Sequence, residues 1–184
     1  MRIAETSLDG CFVIDPEITE DERGYFFESF NQKKFQAETL MNTIFVQDNQ
    51  SRSHYGVLRG LHMQKQDYAQ AKLVRVLSGK VLDVAVDLRP DSKTYKRYFS
   101  IELSGKNRKQ LFIPRGFAHG FVALSEGAEV CYKCDNYYNG DNETGIRYDD
   151  PQLNIDWQVE SGAIVLSKRD SQLLSLEEWT RAGH

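Results

Sequence analysis

The segment GVLRGLHMQ, residues 56–64, sets Arg59 and His62 inside an apolar run of Gly56, Val57, Leu58, Leu61 and Met63. Burying a guanidinium or an imidazole is costly unless something pairs with it. A histidine titrates near neutrality, and an arginine grips anions by paired hydrogen bonds. Three more polar groups sit in apolar runs. Lys72 shares strand parity with Val74 and Val76, Tyr132 with Val130 and Cys134, and His119 with Phe117 and Phe121. Each alone has an ordinary reading: a satisfied core histidine, a lysine stem along a sheet edge, a packed tyrosine. Together they fit the usual signature of a site, polar groups converging in an apolar pocket. One obstacle stands out. His62 shares parity with Leu58, and Arg59 falls on the opposite parity. For both to reach one site, the strand needs a bulge, or the arginine must reach around the strand end.

The elements that position these residues read as short strands. Apolar runs broken by Gly, Asn and Asp predict strands over 25–30, 43–46, 56–63, 72–77, 81–88, 98–103, 117–124 and 129–134. In KVLDVAVDLR, Leu82, Val84, Val86 and Leu88 share one face, with Asp83 and Asp87 on the other. LSGKV (77–81) predicts a tight turn between two strands. One helix is expected over 31–40 with Asn31 as N-cap. A second is expected over 167–179, with a capping box at Ser175 and Glu178. The spacing of strands and turns predicts a mainly β sandwich or barrel.

The chain has 184 residues, enough for one domain with a sizeable core. Hydrophobic residues make up 40% and charged residues 27%, as in ordinary globular proteins. A net charge of -4 argues against a general nucleic-acid binder. No apolar run approaches the ~20 residues of a membrane helix, and residues 1–10 lack a signal-peptide core. The three cysteines, Cys11, Cys131 and Cys134, are an odd count that fits a reducing cytoplasm. Cys131 and Cys134 form a CxxC without a second pair, inside a strand-like segment, so no redox or metal role is expected. His54, among polar residues, and the terminal His184 are expected to carry no chemistry.

Within IPRGFAHGF (113–121), Pro114-x-Gly116-x-x-His119 resembles the second half-motif of the cupin superfamily, a double-stranded jelly-roll barrel. Metal-binding cupins supply a His-x-His pair in the first half-motif. The corresponding residues here are His62-Met63-Gln64, without the second histidine. A thioether is no substitute for a hard divalent ion. The expectation is a cupin-type barrel with a few short helices and no metal, whose chemistry is done by side chains.

Taken in order, DERGYFFESF (21–30), QDNQSRS (47–53), GVLRGLHMQ (56–64), AQAKLVRVLSGKVLDVAVDLR (69–89), IPRGFAHGFVAL (113–124), CYKCDNYY (131–138), DDP (149–151) and LSKRD (166–170) resemble the dTDP-4-dehydrorhamnose 3,5-epimerases. The resemblance covers nearly the whole chain. It implies inversion at C3 and C5 of dTDP-4-dehydro-6-deoxyglucose, by deprotonation beside the C4 ketone and reprotonation from the other face, with no cofactor. It implies His62 as base and Asp170 as its carboxylate partner. From local sequence alone, Asp170 reads instead as part of a Ser167-x-x-Asp170 cap. Lys72 is implied as the electrophile at O4, Tyr132 as the acid, and His119 as a sugar or O4 contact. Asp83 could hold His119, which strand parity does not settle.

The same resemblance implies Arg59 and Arg23 as substrate arginines, and Phe26, Glu28, Gln47, Asn49 and Glu143 as further substrate contacts. Tyr138 would stack under thymine. The motif around Arg23 lies on an N-terminal strand that such enzymes lend to a neighbouring subunit, so a homodimer is implied. The chain departs from the family pattern at three places. Met63 stands where an aromatic residue is usual. NGDNETG (139–145) lacks the usual Pro-containing turn. Arg169 replaces the usual lysine before Asp170 and is a candidate for its phosphate or nucleotide contact. Competing readings are a C3-only epimerase, a 3,4-ketoisomerase, a sugar-nucleotide-binding cupin without catalysis, and a metal-dependent cupin.

Overall fold

The computed structural model describes residues 1–183, and His184 lies outside them. The chain opens with β1 (Arg2–Glu5), β2 (Phe12–Asp15) and a small hairpin of β3 (Thr19–Asp21) and β4 (Gly24–Phe26). Helix α1 (Gln32–Thr39) follows, then β5 (Gln47–Ser53), β6 (Leu58–Gln64), β7 (Lys72–Ser78) and β8 (Lys80–Asp87). Next come β9 (Tyr98–Ser104), β10 (Gln110–Ile113), β11 (Phe117–Ala123), β12 (Ala128–Cys134), β13 (Glu143–Gly145) and α2 (Leu176–Arg181). A six-stranded sheet runs β1-β2-β10-β7-β12-β5, and a five-stranded sheet runs β13-β6-β11-β8-β9. Neighbouring strands are antiparallel throughout. The two sheets face each other as a jelly roll, the mainly β architecture expected.

Alternation along each strand sorts side chains into layers. Between the sheets, Val74, Val76, Leu111 and Val130 of one meet Val81, Ala85, Phe117 and Phe121 of the other. Outside the five-stranded sheet, Leu58, Leu61, Leu82, Val84 and Val86 pack under Trp157, Leu176 and Trp179. Outside the six-stranded sheet, Leu73 and Phe112 pack against Phe35 of α1. Both faces of β8 are therefore covered, and Asp83 and Asp87, on the face away from Leu82, are fully buried. Asn31 caps α1 by accepting the Lys34 N–H, as its sequence predicts.

Several boundaries differ from the sequence reading. Residues 43–46 form no strand; the strand is the next segment, β5, whose polar sequence QDNQSRS hides it. Phe27–Phe30 lie outside β4, and β1, β2, β3, β10 and β13 carry too little alternation to be read as strands. LSGKV does turn tightly, with Gly79 at φ 72°, but it joins β7 in one sheet to β8 in the other and does not close a hairpin. Helix α2 starts only at Leu176, under the expected Ser175–Glu178 capping box. Upstream, Asp170–Gln172 make one 3-10 turn, which leaves Asp170 free to point away from any helix.

Candidate active site

The chain resolves the parity conflict with a bulge. Between β11 and β6, His119 pairs with His62 and Phe121 pairs with Arg59, so β6 carries one extra residue across that interval. Gly60 lies in the extra step at φ 132°, and a Cβ there would sit 2.5 Å from Gly120 Cα. Only glycine suits both the backbone and the contact. The slip sends Leu58 and Leu61 to the outer core, while Arg59 and His62 line the inter-sheet cavity. His62 therefore does not share its face with Leu58, as strict alternation predicts.

That cavity has a volume of about 440 Å³, with Arg59, His62, Lys72, His119, Tyr132 and Asp170 in its wall. The arrangement is two-sided: His62 and His119 stand on the five-stranded sheet, Lys72 and Tyr132 on the six-stranded sheet. Adjoining it, a second cavity of about 350 Å³ shares His62, Lys72 and Tyr132 and adds Gln47, Asn49, Tyr138 and Glu143.

Each histidine has a carboxylate. His62 Nε2 lies 2.6 Å from Asp170 Oδ1. Asp170 donates its backbone N–H to Ser167 Oγ at 3.0 Å, so the Ser167 cap exists and serves to aim the Asp170 carboxylate. Burial works against ionisation of Asp170. The His62 hydrogen bond and charge and the Ser167 hydrogen bond outweigh it, holding the carboxyl below its usual range. His119 Nε2 lies 2.8 Å from Asp83 Oδ1, which settles the Asp83 question in favour of contact. Burial lowers the pKa of His119, against the pull of Asp83.

The facing wall is equally perturbed. Burial lowers the pKa of Lys72, partly offset by Cys134, Glu143 and Asp83. Burial is also the largest cause that pushes the Tyr132 phenol up to about 12, so it keeps its proton at neutral pH. The Lys72 ammonium lies 5.9 Å from the Tyr132 ring centre, and the rings of His119 and Tyr132 are 6.5 Å apart. Arg59 Nε donates to Ser53 Oγ at 3.1 Å, and its guanidinium end stays exposed at the cavity.

Glu143 and Arg169 come together at the rim. Arg169 Nη1 lies 2.6 Å from Glu143 Oε2, which also accepts the Tyr138 hydroxyl at 2.6 Å. Glu143 Oε1 approaches His62 Nδ1 to 3.8 Å, a contact that no local pattern in the sequence announces. Pairing of β13 with β6, Glu143 opposite Gln64, is what brings it there. Gln64, buried, accepts the Asn139 N–H and anchors the same loop.

Arg23, Phe26 and Glu28 line neither of these two cavities. Arg23 pairs with Asp21 on the β3–β4 hairpin, Phe26 is 76% exposed, and Glu28 accepts from Asn31 and pairs with Lys34. Cys131 and Cys134, three apart on one strand, point to opposite faces. Burial is the main cause raising the Cys134 thiol to about 11. Among the described residues no group of three or more His, Cys, Asp or Glu is placed to hold a metal ion. No described helix is long and apolar enough to cross a membrane.

Known proteins resemble this chain in fold and sequence. A dTDP-4-dehydrorhamnose 3,5-epimerase from Methanothermobacter thermautotrophicus is 49% identical, the match covering 96% of this chain and 95% of that one. The crystal structure of the epimerase of that name from Elizabethkingia anophelis is 50% identical with a TM-score of 0.94, over 97% of both chains. A Legionella pneumophila dTDP-6-deoxy-D-glucose-3,5-epimerase, solved with dTDP-4-keto-L-rhamnose, is 46% identical with a TM-score of 0.92 over 96% of this chain and 93% of that one. The family model described as dTDP-4-dehydrorhamnose 3,5-epimerase matches residues 5–178, and the chain belongs to that family of carbohydrate isomerases.

Proposed function

We propose that this chain inverts C3 and C5 of dTDP-4-dehydro-6-deoxy-D-glucose to give dTDP-4-dehydro-L-rhamnose, through side chains alone. One observation supports this above others: a histidine on one sheet, paired with the Asp170 carboxylate, stands across a cavity from a protonated tyrosine on the other. Inversion needs a base and an acid on opposite faces of a carbon. His62, oriented by Asp170, removes the proton beside the ketone. Charge moves onto O4, where Lys72 and His119 stabilise the enolate more than the neutral ketone. Tyr132 returns a proton from the far wall. The carbonyl is regenerated at the end, so no electrons are gained or lost and no redox cofactor is required.

Arg59 takes the diphosphate, with Arg169 as a second cation at the rim, and Gln47, Asn49 and Glu143 hold the nucleotide end. The exposed Tyr138 ring lies under thymine. Arg23, Phe26 and Glu28 complete the site of a neighbouring copy through exchange of N-terminal strands, in a homodimer. The exposure of the β3–β4 hairpin and of Phe26 supports this. The chain acts as one cupin-type domain in the cytoplasm, where sugar nucleotides are made.

Substitution at His62 tests the reading. His62→Ala abolishes turnover while dTDP affinity stays within about threefold, the split expected of a proton-transfer group. If the variant loses only binding, the chain is a sugar-nucleotide-binding protein.

A further inference from the structure

Resting on the double-epimerase reading, we propose that Glu143 carries the proton away from His62 and resets it between the two inversions. Two deprotonations by one imidazole need such a step. After the first, His62 holds a proton and Tyr132 has given one up. The second cannot begin until both are restored.

The geometry restricts how His62 can be reset. Its Nε2 is committed to Asp170 at 2.6 Å, so Nδ1 is the nitrogen left to take a substrate proton and to release it. Asp170 is only 5% exposed and is held by His62 and Ser167. The carboxylate beside Nδ1 is Glu143, with Oε1 at 3.8 Å, a gap that one small side-chain rotation or one water closes. Its other oxygen accepts the hydroxyl of Tyr138, which is 53% exposed. Glu143 thus joins Nδ1 of the base to the open rim. Arg169, bound to Oε2, compensates its charge when it is ionised.

The step is redox neutral. The Nδ1–H bond of the imidazolium breaks, and its electron pair stays on the ring. An oxygen lone pair of Glu143 forms the new O–H bond. Glu143 then passes that proton to water at the rim and is again a carboxylate, and water entering the cavity returns a proton to the Tyr132 phenolate, so both groups are restored with no net proton gained or lost. This is a second duty beside nucleotide contact, and it makes separable demands on the kinetics.

The test compares the wild-type chain with Glu143→Gln in rapid-quench experiments on dTDP-4-dehydro-6-deoxy-D-glucose. The first inversion needs no reset. In the variant steady-state turnover falls about tenfold or more relative to the first inversion, whatever the lost carboxylate costs in substrate contact. The singly inverted sugar accumulates, and turnover rises with the concentration of a small buffer base such as imidazole, which wild type ignores. Glu143→Asp, which keeps a carboxylate, falls between the two. Equal loss in the first inversion and in steady state, without buffer rescue, overturns the relay and leaves Glu143 as a substrate contact only. A wild-type chain that inverts neither carbon overturns the epimerase reading itself, and the relay with it.

Discussion

Asp170 Oδ1 lies 2.6 Å from His62 Nε2 across 108 positions of sequence, and Ser167 Oγ holds the turn that aims it. The pair fixes the tautomer of His62 and leaves Nδ1 facing the cavity. Asp170→Asn keeps the shape but removes the charge that steadies an imidazolium. Turnover should fall about 10²–10⁴-fold with dTDP affinity little changed, measured by steady-state kinetics and calorimetry. Unchanged turnover would remove Asp170 from the proton-transfer machinery.

Lys72 should show a trade between stability and activity. Burial lowers its folded pKa, so the protonated form is the costly one to fold. Its penalty is fully present at low pH and fades as pH rises through the folded pKa toward the unfolded value. Lys72→Met should raise the melting temperature at pH 7 and cut turnover about 10²–10³-fold. A lower melting temperature would mean that the lysine is a structural partner.

Tyr132→Phe separates deprotonation from inversion. His62 in that variant still removes a proton and can return a deuteron from the same face in D2O. Exchange beside the ketone should persist while inversion drops about 10²-fold or more, as followed by proton NMR. Equal loss of both would assign the acid elsewhere.

Gly60→Ala should damage the site from behind. The bulge that puts Arg59 and His62 on one face depends on a φ of 132° and on close approach to Gly120. The added methyl should cost about 1–3 kcal/mol in denaturant unfolding and lower turnover as well. A variant of wild-type stability and activity would show that the bulge tolerates a side chain.

Away from the cavity, Asp87 gives an acid signature. Burial opposes its ionisation, but hydrogen bonds from Arg89, Ser92 and Thr94 take its pKa from 3.8 down to about 2. The stability it contributes is complete above the unfolded value and is lost as pH falls through the folded one. The shift is worth about 2 kcal/mol. Asp87→Asn should be less stable at pH 7 and show a flatter acid-unfolding curve between pH 4 and 2 by circular dichroism. An unchanged curve would remove Asp87 from the acid response.

Side-chain alternation made much of this legible. Lys72, Tyr132 and His119 lie on the faces their parity predicts, because β7, β12 and β11 are regular there. β6 is not regular, and the sequence signalled only a conflict between Arg59 and His62. The bulge that resolves it depends on pairing with β11, which no local pattern encodes. The polar strand β5 was hidden for a related reason: its stability comes from its partner β12, not from its own hydrophobicity. Asp170 read locally as part of a Ser167 cap, and Ser167 does hold its N–H; its carboxylate reaches a strand far back in the chain. The approach of Glu143 to His62 depends likewise on β13 joining β6.

The most direct measurement is proton NMR of dTDP-4-dehydro-6-deoxy-D-glucose incubated with the chain in D2O, without reductant. Deuterium should enter at both C3 and C5 with inversion at both carbons, and both should be lost together in His62→Ala. Deuterium at C3 alone would make the chain a C3 epimerase, and no exchange with the nucleotide still bound would contradict the roles given to His62, Lys72 and Tyr132.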